Sequence, residues 1–175
     1  LGIDDDTSGL LVLPADAPVG GDLREVLALD DTLITLKLTP NRADCLSILG
    51  IAREVAAVTG AALRPPAVGP SNVTSALRRA VRVDDPDACP RFVSRTIEGI
   101  DPRAPTPAWM RERLERSGIR SISAVVDVTN YVMLELGQPL HAYDDRLLDG
   151  ATAVRFARPG EKLALLNEQV LDLEP

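Results

Sequence analysis

A proline- and glycine-rich stretch in the first half of the chain sets the main limit on how this sequence can fold. Residues 64–76 read RPPAVGPSNVTSA, and proline and glycine at this density interrupt helices and strands alike. The composition is typical of a linker. The sequence therefore predicts an N-terminal piece over residues 1–66, a linker over residues 67–80 and a second piece over residues 81–175.

The segment before the linker predicts a strand followed by a helix. Residues 32–38 (TLITLKL) are rich in β-branched residues, which favours a strand. Apolar residues then recur at helical spacing up to Gly60, with Ser47 as the expected N-cap and Gly50 as a break after a short first turn. A further short strand is expected at residues 8–13.

The segment after the linker contains two helix patterns. The first covers residues 106–117, with Thr106 as the expected cap, Pro107 in the first turn, and an inner face of Trp109, Met110, Arg113 and Leu114. The second covers residues 122–136 and ends at Gly137. Helix is favoured there, while its β-branched residues leave a buried strand open as the alternative.

Short strands complete the prediction for the second piece. They are expected around residues 81–83, at 92–100, and at 154–157 and 170–173 on either side of a Pro159–Gly160 turn. Helices and strands together indicate an α+β fold, with a small N-terminal αβ piece followed by a mixed αβ module.

The charge is distributed unevenly along the chain. The formal net charge is −7, and residues 1–31 contain eight acidic residues against one base. Residues 91–120 instead contain seven arginines against four acidic residues. The acidic total argues at first against a nucleic-acid partner, and no DNA partner is expected, but the arginine-rich stretch keeps contact with RNA open.

The composition excludes several classes of protein. Uncharged apolar runs are too short to cross a bilayer, which excludes a membrane span. Cys45, Cys89 and one histidine are too few for a disulfide framework or a structural zinc site, so no metal is expected. Glycine-rich phosphate loops and nucleophile elbows are absent from the sequence. We expect a reduced, cytoplasmic protein.

Two polar segments stand out as candidate sites. In residues 39–47 (TPNRADCLS) the pattern favours a capped turn with an Arg42–Asp44 contact, against the alternative of Arg42 contacting nucleic acid. Cys45 is expected to be a small buried hydrophobe. Residues 126–144 contain the only histidine, His141, together with polar groups suited to a bound ligand at Thr129, Asn130 and Gln138. The alternative there is a local hydrogen bond for Asn130 and a loop that holds His141 beside Asp144.

Four segments, in order along nearly the whole chain, carry a family resemblance. They are TPNRADCLSILGIAREVAAVTG, CPRFVSRTIEGI, TPAWMRERLERSGIRSISAVVDVTNYVMLELGQPLHAYD and AVRFARPGEKLALLNEQ. The sequence resembles the β subunit of bacterial phenylalanyl-tRNA synthetase, and the stretch VVDVTNYVMLELGQPLHAYD is the most specific part. Tyr143 departs from the family, in which phenylalanine is usual.

The resemblance implies an aminoacyl-tRNA ligase, phenylalanine–tRNA ligase, assembled as α2β2 and acting on tRNA(Phe). The α subunit would hold ATP, magnesium and phenylalanine, so no cofactor and no residue catalysing aminoacylation is expected in this chain. Residues 1–66 would cover the end of an OB-type tRNA-binding insertion and a small N-terminal domain. Residues 81–175 would form the first part of the editing module.

The same resemblance implies a site that hydrolyses mischarged Tyr-tRNA(Phe). The matching positions are Asn130 and His141, with Thr129 adjacent. Further pocket residues of the family are expected downstream of Pro175, so this stretch alone is predicted to be inactive. The alternative is a non-catalytic RNA- or protein-binding module with an editing-like fold.

Overall fold

The computed structural model describes residues 9–175, which form two compact units. The first unit ends at Thr39 and contains a short helix, α1 (Leu23–Val26), whose N-cap is Asp22. The second unit, Pro40–Pro175, contains the other helices and every strand among the described residues.

The strand predicted at residues 32–38 is wrong. These residues form neither helix nor strand, and the Leu33 and Ile34 side chains are exposed. A strand needs a partner for its backbone groups, and no described segment pairs with this one. The strand predicted at residues 8–13 begins at Ser8, outside the described residues, and residues 9–13 are not in a strand.

Helix α2 (Ile48–Thr59) confirms the helix predicted before the linker. The Gly50 N–H donates a 3.0 Å hydrogen bond to the Ser47 hydroxyl, which caps the first turn. Gly60 ends the helix in the left-handed conformation, at φ +74°. A 3₁₀ turn (Ala43–Cys45) comes just before the helix.

Gly50 does not break the helix, contrary to the prediction. It lies inside α2 and is buried. A Cβ atom at this position would lie 1.8 Å from the carbonyl oxygen of Asp44. The glycine therefore allows the preceding 3₁₀ turn to pack directly on the helix backbone.

Two further helices follow the linker, α3 (Ala108–Arg116) and α4 (Ala124–Leu136). Helix α4 decides between the two alternatives for residues 122–136 in favour of the helix. Ser123 is its N-cap and Gly137 ends it in the left-handed conformation, at φ +78°.

Thr106 is not the cap of α3, contrary to the prediction. The N-cap position is Pro107, and the Thr106 hydroxyl donates to the Asp127 carboxylate at 2.5 Å. A capping hydroxyl accepts from helix N–H groups at the N-cap position, whereas Thr106 lies one residue before that position and uses its hydroxyl as a donor to Asp127. On the predicted inner face Met110 and Leu114 are buried.

Helix α4 packs against both α2 and α3. The end of α4 meets the start of α2, since a Cβ atom at Gly137 would lie 3.1 Å from the Ser47 hydroxyl oxygen. The fully buried side chains are Leu114 of α3 and Asp127 of α4. The core of this unit is thus centred on the helix that carries the predicted site.

The strands form two small sheets. Strand β1 (Val81–Val83) pairs in parallel with β2 (Thr152–Val154), and β3 (Lys162–Ala164) pairs antiparallel with β4 (Val170–Asp172). The prediction at 81–83 is confirmed, and the one at 170–173 is confirmed to within one residue.

Other strand predictions are wrong. Residues 92–100 form no strand, and the strand expected at 154–157 lies at 152–154. The Pro159–Gly160 turn precedes the hairpin, because β4 pairs with β3 rather than with β2. Whether a segment forms a strand depends on the partner with which it pairs, and a local sequence pattern does not reveal that partner.

The mixture of helices and small sheets confirms the α+β fold class. Residues 61–80 contain neither helix nor strand, as a linker requires. The module boundaries at residues 66 and 81 stay a prediction. No helix within residues 9–175 is long and apolar enough to cross a membrane.

Candidate functional site

Helix α4 carries two of the predicted site residues. Thr129 and Asn130 are both half-buried in its middle turns. The Thr129 hydroxyl donates a 2.6 Å hydrogen bond to the Val126 carbonyl within the same helix. Because its only proton is used there, Thr129 offers a ligand its oxygen as an acceptor and no donor.

His141 lies in the loop that follows α4 and is exposed. Its ring stacks on the Tyr143 ring, with centroids 5.9 Å apart and an interplanar angle of 25°. Asp144, the acid expected beside it, binds Arg146 instead through contacts of 3.0 Å and 2.7 Å. That ion pair lowers the pKa of Asp144 to about 2.

The three predicted site residues lie on two neighbouring segments of the chain, helix α4 and the loop after it. Thr129 and Asn130 are adjacent on α4, while His141 is eleven residues beyond Asn130 in the loop. A cleft of about 450 Å³ lies beside the end of α4, and Met133, Leu136 and Gly137 are among the residues that line it. Thr129, Asn130 and His141 are not among the residues that line this cleft. The editing pocket therefore stays a prediction.

Asp127 is the polar residue that the sequence analysis missed. Its side chain is 0% exposed. Its Oδ2 accepts hydrogen bonds from the Thr106 and Ser121 hydroxyls, both at 2.5 Å, and its Oδ1 accepts one from the Ile122 N–H at 2.9 Å. The available signal was an acid within an apolar helix pattern, two residues before Thr129.

The surroundings of Asp127 decide its protonation. Burial is the largest single influence and opposes ionisation, but hydrogen bonds from the Ser121 and Thr106 hydroxyls and from the Ile122 and Ser123 backbone together outweigh it and lower the pKa of this carboxyl. Asp127 is therefore an ionised, acceptor-only group at neutral pH, paired with neutral donors.

The predicted turn at residues 39–47 is present. Arg42 binds both Asp44 oxygens at 3.0 Å and reaches Glu54 of α2 at 2.6 Å and 3.1 Å. These bonds lower the pKa of Asp44 and of Glu54. Arg42 thus joins the turn to the helix, which supports the structural alternative over nucleic-acid contact.

Cys45 is buried, as predicted for a small hydrophobe. Burial raises the pKa of its thiol, which keeps it protonated. Within the described part of the chain no cluster of three or more histidine, cysteine or acidic side chains could hold a metal ion.

An aromatic and basic cluster lies where α3 meets α4. The Trp109 and Tyr131 rings meet edge to face at 5.2 Å, and the Arg113 guanidinium lies 5.4 Å from the Trp109 ring centroid. Arg113 also donates to the Tyr131 hydroxyl at 2.7 Å, which in turn donates to Glu135 at 2.9 Å. Trp109 is still 49% exposed, so one large ring remains open to a partner.

Comparison with known proteins identifies the class of this chain. Residues 88–175 match the B3/4 domain family, and this range contains α3, α4 and the three predicted site residues. The chain belongs to the B3/4 domain family.

Similarity to named proteins extends beyond that domain. The chain is 62% identical over 174 residues to the phenylalanine–tRNA ligase beta subunit of Dechloromonas aromatica, covering 99% of this chain and 22% of that protein. It is 60% identical over 173 residues to the protein of the same name from Aromatoleum aromaticum, covering 98% of this chain and 22% of that protein. It is 57% identical over 175 residues to the protein of the same name from Chromobacterium violaceum, covering 100% of this chain and 22% of that protein.

These similarities confirm the resemblance predicted from the sequence. The relatives are by name components of an aminoacyl-tRNA ligase. The chain spans about a fifth of their length, since it covers 22% of each.

Proposed function

We propose that this chain is part of the β subunit of a phenylalanine–tRNA ligase, which joins phenylalanine to tRNA(Phe) with ATP. The observation that carries the proposal is the identity of 57–62% with proteins of that name, over 98–100% of this chain. The α subunit and tRNA(Phe) are the proposed partners, and ATP with magnesium would act on the α subunit.

The proposed task of this region is to contribute to the hydrolysis of mischarged Tyr-tRNA(Phe). An apolar pocket for phenylalanine rejects a ligand that adds one hydroxyl by only about 100-fold. A second site that recognises that hydroxyl corrects the remaining errors. Polar side chains on a fixed helix meet this requirement, because they hold donors and acceptors at set positions.

The three predicted residues have different capacities in such a site. Asn130 can donate and accept, Thr129 can accept only, and His141 can orient either a water molecule or the substrate. In the reaction the water oxygen bonds to the ester carbonyl carbon, and the bond from that carbon to the ribose oxygen breaks. The ribose hydroxyl leaves with one proton, and the tyrosine carboxylic acid ionises to release the second.

Exposed apolar side chains support a place within a larger assembly. In the second unit Val93, Ile97, Ile122, Leu147, Phe156 and Leu166 are each more than half exposed. A contiguous apolar surface would be covered by another protein, and these side chains are the candidates for such a contact in the assembled enzyme. Both cysteines are free thiols, which supports the proposed cytoplasmic location.

The test uses the full-length subunit assembled with its α subunit. His141→Ala and Asn130→Ala are each expected to lower the rate of Tyr-tRNA(Phe) hydrolysis by at least about tenfold, because both remove a positioning group. Charging with phenylalanine in the same preparations is the control and should not change. Unaltered hydrolysis in both variants would remove these residues from the site.

A second candidate is a non-catalytic RNA-binding module, which the exposed Trp109 with its Arg113 neighbour favours. Aromatic rings beside arginine stack on unpaired bases. For this candidate the assembled enzyme would lack Tyr-tRNA(Phe) hydrolysis, and Trp109→Ala would weaken tRNA binding. Hydrolysis by the unmodified enzyme excludes it.

A further inference from the structure

We propose that Asp127 is a positioning residue for the hydrolytic site: its buried carboxylate fixes helix α4 in the one setting that aims Thr129 and Asn130 at the substrate. This inference rests on the proposed function and adds to it a residue that touches no substrate. It stands on burial and on hydrogen bonds to three other residues.

The carboxylate joins α4 to the segments on both sides of α3. Thr106, which donates to Oδ2, lies just before α3, while Ser121 and Ile122 lie in the connection from α3 to α4. The Asp127 N–H also donates to the Ser123 carbonyl at 2.8 Å in the first turn of α4. The Asp127 side chain thus fixes the positions of the start of α4, the α3–α4 connection and the segment before α3 relative to one another.

An ionised carboxylate suits this role better than an amide. It accepts at both oxygens, and the Thr106, Ser121 and Ile122 groups that donate to it are neutral. An asparagine would direct its NH₂ group at one of those donors, leaving a buried group without a partner. The position near the start of α4 adds the favourable field of the helix N-terminus.

The site residues follow Asp127 at a short distance along one rigid helix. Thr129 and Asn130 are two and three residues further on in α4, and each residue adds a fixed rotation of about 100° and a rise of about 1.5 Å. A shift of the helix start therefore moves both side chains together. Displacement by about 1 Å lowers a rate by up to about 100-fold.

The experiment uses the full-length β subunit assembled with its α subunit and compares Asp127→Asn with the exposed control Asp101→Asn. We expect Asp127→Asn to lower kcat for Tyr-tRNA(Phe) hydrolysis by at least about tenfold while KM changes less than about threefold, since substrate binding extends far beyond this helix. Charging with phenylalanine should be unchanged in both variants.

A second pair of variants tests the Thr106 hydroxyl, which Thr106→Val removes and Thr106→Ser retains. Thr106→Val should lower kcat for hydrolysis by about two- to tenfold, the loss of one hydrogen bond, and Thr106→Ser should restore it. This pair carries the test if Asp127→Asn does not fold. Helix content is compared by circular dichroism in every variant.

The outcomes distinguish the proposed function of the enzyme from the positioning role of Asp127. No hydrolysis by the unmodified enzyme overturns the proposed function. Hydrolysis by the unmodified enzyme with unchanged kcat in both Asp127→Asn and Thr106→Val overturns the positioning role. A parallel loss of charging and hydrolysis also overturns it, because that result indicates a general structural role.

Discussion

Two junctions in the second unit attach a short segment to a helix through carboxylates, and they do so in opposite environments. At the α3–α4 junction Asp127 is 0% exposed and binds neutral donors. At the turn before α2, Asp44 and Glu54 bind Arg42, and their side chains are 64% and 44% exposed. Buried hydrogen bonds hold the first junction together, and ion pairs between solvent-accessible side chains hold the second.

The difference predicts how much each junction contributes to stability. A buried polar group that loses its partner pays the full desolvation cost, about 1–3 kcal/mol for each group. Exposed ion pairs exchange protein contacts for water contacts at little net change. The α3–α4 junction should therefore be the sensitive one, although the turn before α2 has more charged contacts.

Removing the buried carboxylate should give the largest effect. Asp127→Ala leaves the Thr106 and Ser121 hydroxyls and the Ile122 N–H without their acceptor. The free energy of unfolding should fall by about 3 kcal/mol or more, measured by urea unfolding. Ser117→Ala removes an exposed hydroxyl that bonds within α3 and serves as the control. If Asp127→Ala lowers the free energy of unfolding by less than the control variant does, the contrast between the two junctions is wrong.

The two junctions also differ in how far the sequence predicts them. The helices follow from local signals, such as the Ser47 and Gly60 ends of α2 and the Gly137 end of α4, because caps and helical spacing lie within a few residues. The Arg42–Asp44 contact was predictable for the same reason. Asp127 was not, since its partner Thr106 is 21 residues away.

Strands and the site show the same limit more strongly. Residues 92–100 have a strand pattern and no partner among the described residues, whereas β1 pairs with β2 about 70 residues later. For the site, Thr129, Asn130 and His141 stay a prediction from the family resemblance, because the placement of side chains in a pocket depends on contacts across the fold that a local motif does not contain.

The turn before α2 can be disrupted sterically, which tests whether its packing matters more than its charges. Gly50→Ala puts a Cβ atom at 1.8 Å from the Asp44 carbonyl oxygen, so the turn or the helix must move. Overpacking of this kind costs about 1–3 kcal/mol, measured by urea unfolding.

A matched variant separates packing from backbone conformation. Gly60→Ala meets no atom within 4 Å but has φ +74°, so it reports backbone strain alone, about 1–2 kcal/mol. If Gly50→Ala is harmless while Gly60→Ala destabilises, the close approach of the turn to α2 is not maintained in solution.

Neutralising the cation of that turn should have a smaller effect than either glycine change. Arg42→Gln removes the bonds that lower the pKa of Asp44 and of Glu54, so both pKa values should rise toward their ordinary range in an NMR titration. Stability contributed by these pairs is present above the ordinary carboxyl pKa and is lost as the pH falls through the lowered values. A shift of the unfolding midpoint as large as that of Asp127→Ala would contradict the comparison.

The smallest effect is expected at a single ion pair outside both junctions, whose side chains are each 32% exposed. Arg155 binds Glu161 at 2.7 Å and 2.8 Å and, with the Arg158 N–H, lowers the pKa of Glu161 from 4.5 to about 2. Arg155→Gln should raise that pKa toward 4.5, visible by NMR. Because the pKa is lowered on folding, the contribution of the pair is complete above pH 4.5 and is lost as the pH falls toward 2. At pH 7 and high salt, Arg155→Gln should lower the unfolding temperature less than at low salt and less than any change above, since salt screens part of the attraction of a partly exposed pair. A large salt-resistant difference would show that charge pairs in water rival the buried Asp127 network, and the contrast between the two junctions would lose its physical basis.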